Sequence, residues 1–255
     1  MTIYRSRVSP SQINLFIECP SAWVLRYHYG YVSKWTDKMS LGTRFEDRVN
    51  CTLTSSELDN VTFELTDREI KAADLCAKVI KDIFGDKDFT LQKELKNDDL
   101  VGYVDYYNES HIVDLKTTSA TPSTTPKNNL RQLDFYRSFF SQDSQPHLTL
   151  LFAVMLKKEL RVLIQTTSET IIKRYQDYPG IYRVDPISEY NLSRAGLENI
   201  NATRTIQLLR RHPDYINAIP INPNHFTMTR YDKDIIDNFL KGELVPFTST
   251  YTSVV

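Results

Sequence analysis

The chain has 255 residues, enough for a large core, and its 41% hydrophobic, 25% charged and 11% aromatic residues are the proportions of an ordinary soluble globular protein. A formal charge of −1 gives no global attraction for a polyanion, so any contact with nucleic acid has to come from local patches such as Arg5/Arg7, Lys34/Lys38/Arg44 and Lys127/Arg131/Arg137. Seven glycines, no two within ten residues, exclude a P-loop and a dinucleotide-binding glycine motif, and no apolar run approaches the ~18 residues needed to span a bilayer.

The N-terminus lacks the apolar core of a secretion signal, which points to the cytoplasm of a bacterium or of a phage-infected host. Cys19, Cys51 and Cys76 are an odd number at wide spacings, so they read as reduced core thiols rather than a disulfide framework or a four-thiolate metal site.

Ser9-Pro10-Ser11 opens a helix, with the serine as cap and proline in the first turn, and the helix stops near Pro20. A second helical pattern covers Ala22 to Tyr29 and a third opens near Leu41-Gly42. The aromatic run Trp23, Tyr27, Tyr29, Tyr31 and Trp35 has two readings, core packing and stacking on unpaired bases. Thr66-x-x-Glu69 has the form of a capping box, and the apolar residues from Ile70 to Phe84 continue a helix that ends near Gly85.

The pattern then changes to strands over Phe89 to Leu95, Leu100 to Tyr107 and His111 to Thr117, with Asn108-Glu109-Ser110 as a tight connection. A loop around Pro122 and Pro126 leads to a helix over Asn128 to Phe140, followed by strands over His147 to Leu156 and Leu160 to Thr166. Beyond Thr167 the signals weaken, apart from helical patterns over Leu197 to Arg211 and Asp232 to Leu240 and a frayed tail after Pro246. The order predicts a single α/β domain over 1–255, with a central mixed sheet flanked by helices and helical additions at both ends. Its core covers about 9–166 and a helical extension about 167–245.

Alternate strand residues share a face, so Asp114 and Lys116 lie together, and a hairpin closed over Asn108-Glu109-Ser110 brings Asp105 within about one position of Asp114. Two carboxylates suit Mg²⁺ or Mn²⁺, which keep open positions for a phosphate oxygen and a water, and a nearby lysine can orient that water. Gln132 and Tyr136, four apart on one helical face with Arg131 adjacent, supply amide, phenol and guanidinium for a nucleic-acid backbone.

Gly102-x-x-Asp105, Asp114-x-Lys116 and Gln132-x-x-x-Tyr136, in this order, resemble the PD-(D/E)xK nuclease superfamily and its RecB-like exonuclease branch, with Leu41-Gly42 through Asp47 similar to the branch's first motif. The resemblance covers roughly residues 9–166 and implies a restriction-endonuclease-like core. It also implies a divalent metal, Mg²⁺ or Mn²⁺, held by Asp105, Asp114 and the Leu115 carbonyl, with Glu46 as a further ligand directly or through water. Lys116 would position the nucleophilic water, and Gln132 and Tyr136 would orient the strand. Several relatives carry an iron–sulfur cluster on cysteines that this chain lacks, so no cluster is expected.

The departures are Glu46 where many members have histidine, Val104 where the superfamily name has proline, and aspartate as the second acid. The expected activity is exonucleolytic hydrolysis at DNA ends or in single strands during recombination, repair or phage replication. The alternatives are an endonuclease with the same site and a catalytically silent DNA-binding subunit. The expected partners are DNA and a recombination or single-strand-binding protein, with no membrane and an oligomeric state left open.

Overall fold

A six-stranded mixed sheet carries Gly102, Asp105, Asp114 and Lys116, while Glu46, Gln132 and Tyr136 lie on helices. The computed structural model describes residues 7–32, 36–54, 64–157, 159–221, 226 and 233–243. Arg5, Lys34, Trp35, Asp232 at the start of the expected C-terminal helix and the tail after Pro246 lie outside the described residues.

The described residues fall into two compact units, one within Met1–Trp35, Asn97–Val101 and Leu197–Val255, the other within Thr36–Lys96 and Gly102–Gly196. In the first, α1 (Pro10–Glu18) has proline in its opening turn, and α2 (Pro20–Trp23) runs into a π-helical turn (Val24–His28) where the Tyr29 N–H reaches back to the Val24 carbonyl. The expected second helix is therefore α-helical for one turn only. Cys19, Ala22, Leu25 and Phe226 form this unit's apolar cluster with Ile235, Ile236 and Phe239, the last three from the short C-terminal helix Lys233–Leu240. Trp23 is buried and packs edge-on against Phe16, as in the packing reading of the aromatic run.

In the second unit the elements are α3 (Asp37–Thr54), α4 (Asp67–Phe84), β1 (Thr90–Lys96), β2 (Val101–Tyr107) and β3 (His111–Thr118). There follow α5 (Lys127–Arg137), β4 (His147–Met155), β5 (Leu160–Thr166), α6 (Glu169–Tyr175), β6 (Ile181–Pro186) and α7 (Glu189–Arg211), whose residues from Leu197 belong to the first unit. The strands lie in sequence order, β2 antiparallel to β3, β3 parallel to β4, β4 antiparallel to β5 and β5 parallel to β6. The two parallel pairs are those whose connections hold α5 and α6, as a parallel crossover requires.

β4 is buried along almost its whole length, because it has a strand on each side and helices over both faces. α3, α4 and α6 cover one face, where Phe45, Val49, Ala73, Ile80, Ile171 and Tyr175 pack with Tyr106, Val113, Leu115, Leu151 and Ile164. α5 serves the face that carries Asp114.

α6 and β6 were not expected, and α7 starts eight residues before the expected Leu197, because buried Leu192 and Ala195 anchor its first turns. β5 has the expected bounds, Leu160–Thr166, while some other boundaries move by up to four residues, as when α3 begins at Asp37 rather than near Leu41 and α5 ends at Arg137 rather than Phe140.

α4 starts as its sequence requires. The Thr66 side chain accepts from the Glu69 N–H at 3.4 Å, the Glu69 carboxylate accepts from the Thr66 N–H at 2.8 Å, and Gly85 ends the helix at φ +61°. Thr66→Ala removes one half of this reciprocal pair. It should destabilise the protein by about 1 kcal/mol, read as a lower urea midpoint with an unchanged m-value.

Candidate metal and phosphodiester site

The β2–β3 hairpin sets the register on which the site depends. Tyr106 pairs with Val113 and Tyr107 with Ile112, while Asn108 and His111 exchange both backbone hydrogen bonds at the turn. One further step along this ladder puts Asp105 across from Asp114 on the same face of the sheet. The ladder then changes character: the Leu115 N–H donates at 2.8 Å to Asp105 Oδ2, a side-chain oxygen in the place of a backbone one. By the alternation of the ladder the Leu115 carbonyl also faces the β2 side.

Asp114 is fully buried, and its two oxygens have different partners. Oδ1 accepts from the Gln132 amide at 2.9 Å and Oδ2 lies 2.6 Å from Lys116 Nζ, two residues along the same strand. Gln132 donates its other amide hydrogen to the Tyr136 hydroxyl at 2.7 Å, and that hydroxyl donates to the Tyr103 carbonyl at 2.5 Å. The Lys116–Asp114 ion pair is thus continued by hydrogen bonds from Asp114 through Gln132 and Tyr136 to the backbone of β2.

Two glycines make the approach of the helices possible. A Cβ on Gly102 would sit 2.9 Å from Tyr136 Cε1 and 3.2 Å from Phe135 Cε1, so only glycine lets the α5 rings lie on β2 there. A Cβ on Gly42 would sit 3.1 Å from the Thr117 hydroxyl, so α3 runs close to β3 one turn before Glu46. Glu46 accepts from the Gln92 amide of β1 at 2.5 Å and lies within electrostatic reach of Lys116 and Asp114.

The charges of this group are unbalanced. Glu46, Asp105 and Asp114 face the single ammonium of Lys116, a formal excess of two negative charges when all are ionised. Burial, reinforced by the Asp114 and Glu46 charges, pushes Asp105 well above the usual carboxylate range, against the pull of Lys116 and the Leu115 N–H. Burial also raises Glu46, with Lys116 opposing it. Burial works against the Lys116 ammonium, but Asp114 and Asp105 outweigh it and hold Lys116 above the ordinary lysine value. Tyr136 is raised well above the ordinary phenol value by burial and by Asp114, so it stays protonated and able to donate.

The structure therefore brings Glu46, Asp105, Asp114, Lys116, Gln132 and Tyr136 together, with the Leu115 carbonyl on the side that Asp105 occupies. Gln132 and Tyr136 spend their donors inside the protein, on Asp114 and the Tyr103 carbonyl. Arg131, expected beside them on the surface, is buried with 5% of its area exposed. The other cationic patches are engaged as well: Arg137 pairs with Asp134 and Glu189 at 2.8 Å, Arg44 with Glu64 at 3.5 Å, and Arg7 donates to the Asn97 carbonyl, leaving Lys38 and Lys127 exposed. Gln92 and the Tyr103 carbonyl were missed by the sequence motifs; an isolated glutamine and a main-chain oxygen carry no pattern.

Among the described residues no three His, Cys, Asp or Glu side chains form a ready-made metal cage, and none of the described helices is long and apolar enough to cross a membrane. The donor set nonetheless fits a hard divalent cation. Mg²⁺ commonly takes one or two carboxylates and keeps several waters, and a double positive charge favours the ionised form of carboxylates raised by burial and by neighbouring acids. Cys19, Cys51 and Cys76 are free thiols, and burial pushes Cys76 up to about 12.

No protein-family model matches the chain, and no curated protein matches it. Among solved structures it is similar to SSO0001, at 13% identity over 74% of this chain and 85% of that one, with a TM-score of 0.25. It is also similar to a phage related exonuclease from Haemophilus somnus 129PT, at 14% identity over 82% of this chain and 97% of that one, with a TM-score of 0.32. Likenesses this distant leave the chemistry to be read from the side chains themselves.

Asp105→Asn keeps an oxygen for the Leu115 N–H and removes one of the crowded charges. Because the folded carboxyl titrates above the unfolded one, near 3.8, the wild type loses stability as pH rises through the folded value and the variant does not. In chelator, urea midpoints of the two proteins should converge toward pH 3.8 and separate in favour of Asn at neutral pH. A variant less stable than wild type at neutral pH contradicts the charge imbalance.

Proposed function

We propose that this chain is a divalent-metal-dependent DNA nuclease, an exonuclease acting at DNA ends or in single strands. The observation that carries the reading is the juxtaposition of Asp105 with Asp114 across the hairpin while Lys116 contacts Asp114 at 2.6 Å. Asp105, Asp114 and the Leu115 carbonyl are the residues that would hold Mg²⁺ or Mn²⁺, with Glu46 as a further ligand from α3. When bound, such a cation supplies Lewis-acid polarisation of a phosphodiester and neutralises charge that builds on it.

The chain's own residues account for the rest. Lys116, held as an ammonium by its carboxylate neighbours, is a hydrogen-bond donor rather than a general base at neutral pH. Its part is to orient a water by donating to it and to offset negative charge developing on the phosphate. Gln132 fixes the rotamer of Asp114, and Tyr136, tied to the Tyr103 carbonyl, fixes Gln132. This chain of constraint matters because reaction rates fall steeply when a catalytic group moves by a fraction of an ångström. The Lys116 side chain is 28% exposed beside fully buried Asp114, so of the pair it is the lysine that extends toward the surface.

Digestion of end-labelled linear, covalently closed circular and single-stranded DNA, with Mg²⁺, Mn²⁺ or chelator, tests activity, cofactor and mode together. Linear or single-stranded DNA should be degraded only with metal, and closed circles spared. Asp114→Ala and Lys116→Ala should each lower the rate by roughly 10²-fold or more. Full activity in chelator, or in both variants, refutes the proposal, and cleavage of closed circles makes the enzyme an endonuclease.

A further inference from the structure

Gln92 lies on an edge strand, is exposed, and has a backbone φ of +50°. Only one other described non-glycine residue, Glu64, has a positive φ, and Glu64 lies in the segment leading into α4. Left-handed backbone is unfavourable for an L side chain such as glutamine, because Cβ crowds the following carbonyl. Strain of this kind persists where surrounding structure or function holds it. No core packing accounts for it here, since Gln92 is exposed and is not a member of the apolar cluster that takes in its neighbour Leu91.

What the conformation does achieve is one contact: the Gln92 amide donates at 2.5 Å to Glu46 Oε1, 46 residues away in sequence. Glu46 belongs to α3, is half-buried, and is close enough to Lys116 and Asp114 for their charges to act on it. A glutamate side chain has three rotatable bonds, and Lys116 attracts this carboxylate while Asp114 and Asp47 repel it, so charge alone does not select one rotamer.

We infer that Gln92 is a positioning residue, whose amide holds the Glu46 carboxylate at the rim of the Asp105, Asp114 and Lys116 cluster, and whose left-handed backbone aims that amide. The inference rests on the reading of the cluster as a divalent-cation site. A residue that merely ties β1 to α3 would add stability. A positioning residue on strained backbone adds little stability and changes the affinity of the site.

Mn²⁺ binding, followed by the paramagnetic resonance of the free ion, and thermal unfolding in chelator separate the two on the full-length chain. Gln92→Gly removes the amide and relaxes the backbone, and Gln92→Asn tolerates the left-handed backbone but carries its amide one methylene short. Both should bind Mn²⁺ about tenfold more weakly or worse, while melting at or above the wild-type temperature. In a Glu46→Ala background, Gln92→Gly should cause no further loss.

Unchanged Mn²⁺ affinity in both variants, with or without a lower melting temperature, makes Gln92 a structural tie and overturns the inference. Independent, additive losses in the double variant overturn the route through Glu46. Absence of Mn²⁺ binding by the wild type is a separate result, which removes the metal reading itself.

Discussion

Carboxylates on adjacent strands, buried beside a single ammonium, are an arrangement that folding alone does not favour. Two like charges about 5 Å apart in a partly buried setting repel by roughly 3 kcal/mol, and one lysine cannot neutralise three acids. The fold holds them together because each is fixed by something other than its charge. Asp105 takes the place of a ladder acceptor for the Leu115 N–H, Asp114 is enclosed by Gln132 and the sheet, and Glu46 is carried on a helix anchored by Phe45 and Val49. Burial displaces Asp105 and Glu46 upward, with the charge of Asp114 adding to it in both and Lys116 opposing it. A site of this kind is stabilised by a multivalent cation, and its cost is carried by the surrounding core of β3, β4 and β5 with α3 and α4.

The place where the β2–β3 ladder changes from backbone to side-chain bonding is also where the chemistry gathers. A strand pair that stayed regular would have used the Leu115 N–H on a β2 carbonyl and closed the space between the strands. Asp105 satisfies the N–H instead, so no buried donor is orphaned, and the chain can part at this point without a penalty of the size an unpaired group brings. Gly102, three residues earlier, makes the complementary adjustment by admitting the Tyr136 ring. The G-x-x-D spacing therefore has a mechanical meaning: the glycine admits the helix that orients one acid, and the aspartate replaces the ladder bond beside the other.

Much of this was legible in the sequence, for a reason that differs element by element. The hairpin was readable because its turn residues Asn108-Glu109-Ser110 and the alternation of Val113 and Leu115 with Asp114 and Lys116 are local signals, and a period of two fixes which residues share a face. The Thr66 capping box and Gly85 were readable for the same reason. α6 and β6 were not: seven residues of helix give too few turns to establish a period, and β6 is an edge strand of mostly half-buried residues with a register shift opposite Val162 and Leu163. The first turns of α7 were hidden because Asn191, Ser193 and Gly196 are poor helix formers, and the packing of Leu192 and Ala195 overrides them.

Within the site, sequence motifs identify the groups but not what each one touches. A Q-x-x-x-Y pattern on a helix is equally compatible with side chains that face a ligand and with side chains that face each other. In the folded chain they face each other and Asp114, which turns two expected substrate contacts into supports for an acid. Arg131 follows the same logic, since a surface guanidinium and a buried one read alike in sequence. Gln92 is the extreme case: neither its left-handed backbone nor its contact with Glu46 has any local signature, because glutamine is not a residue that prefers that conformation and its partner lies 46 positions away. Strain at an exposed strand residue becomes visible only when backbone angles and partner are seen together, and it is at such positions that local preference and function part company.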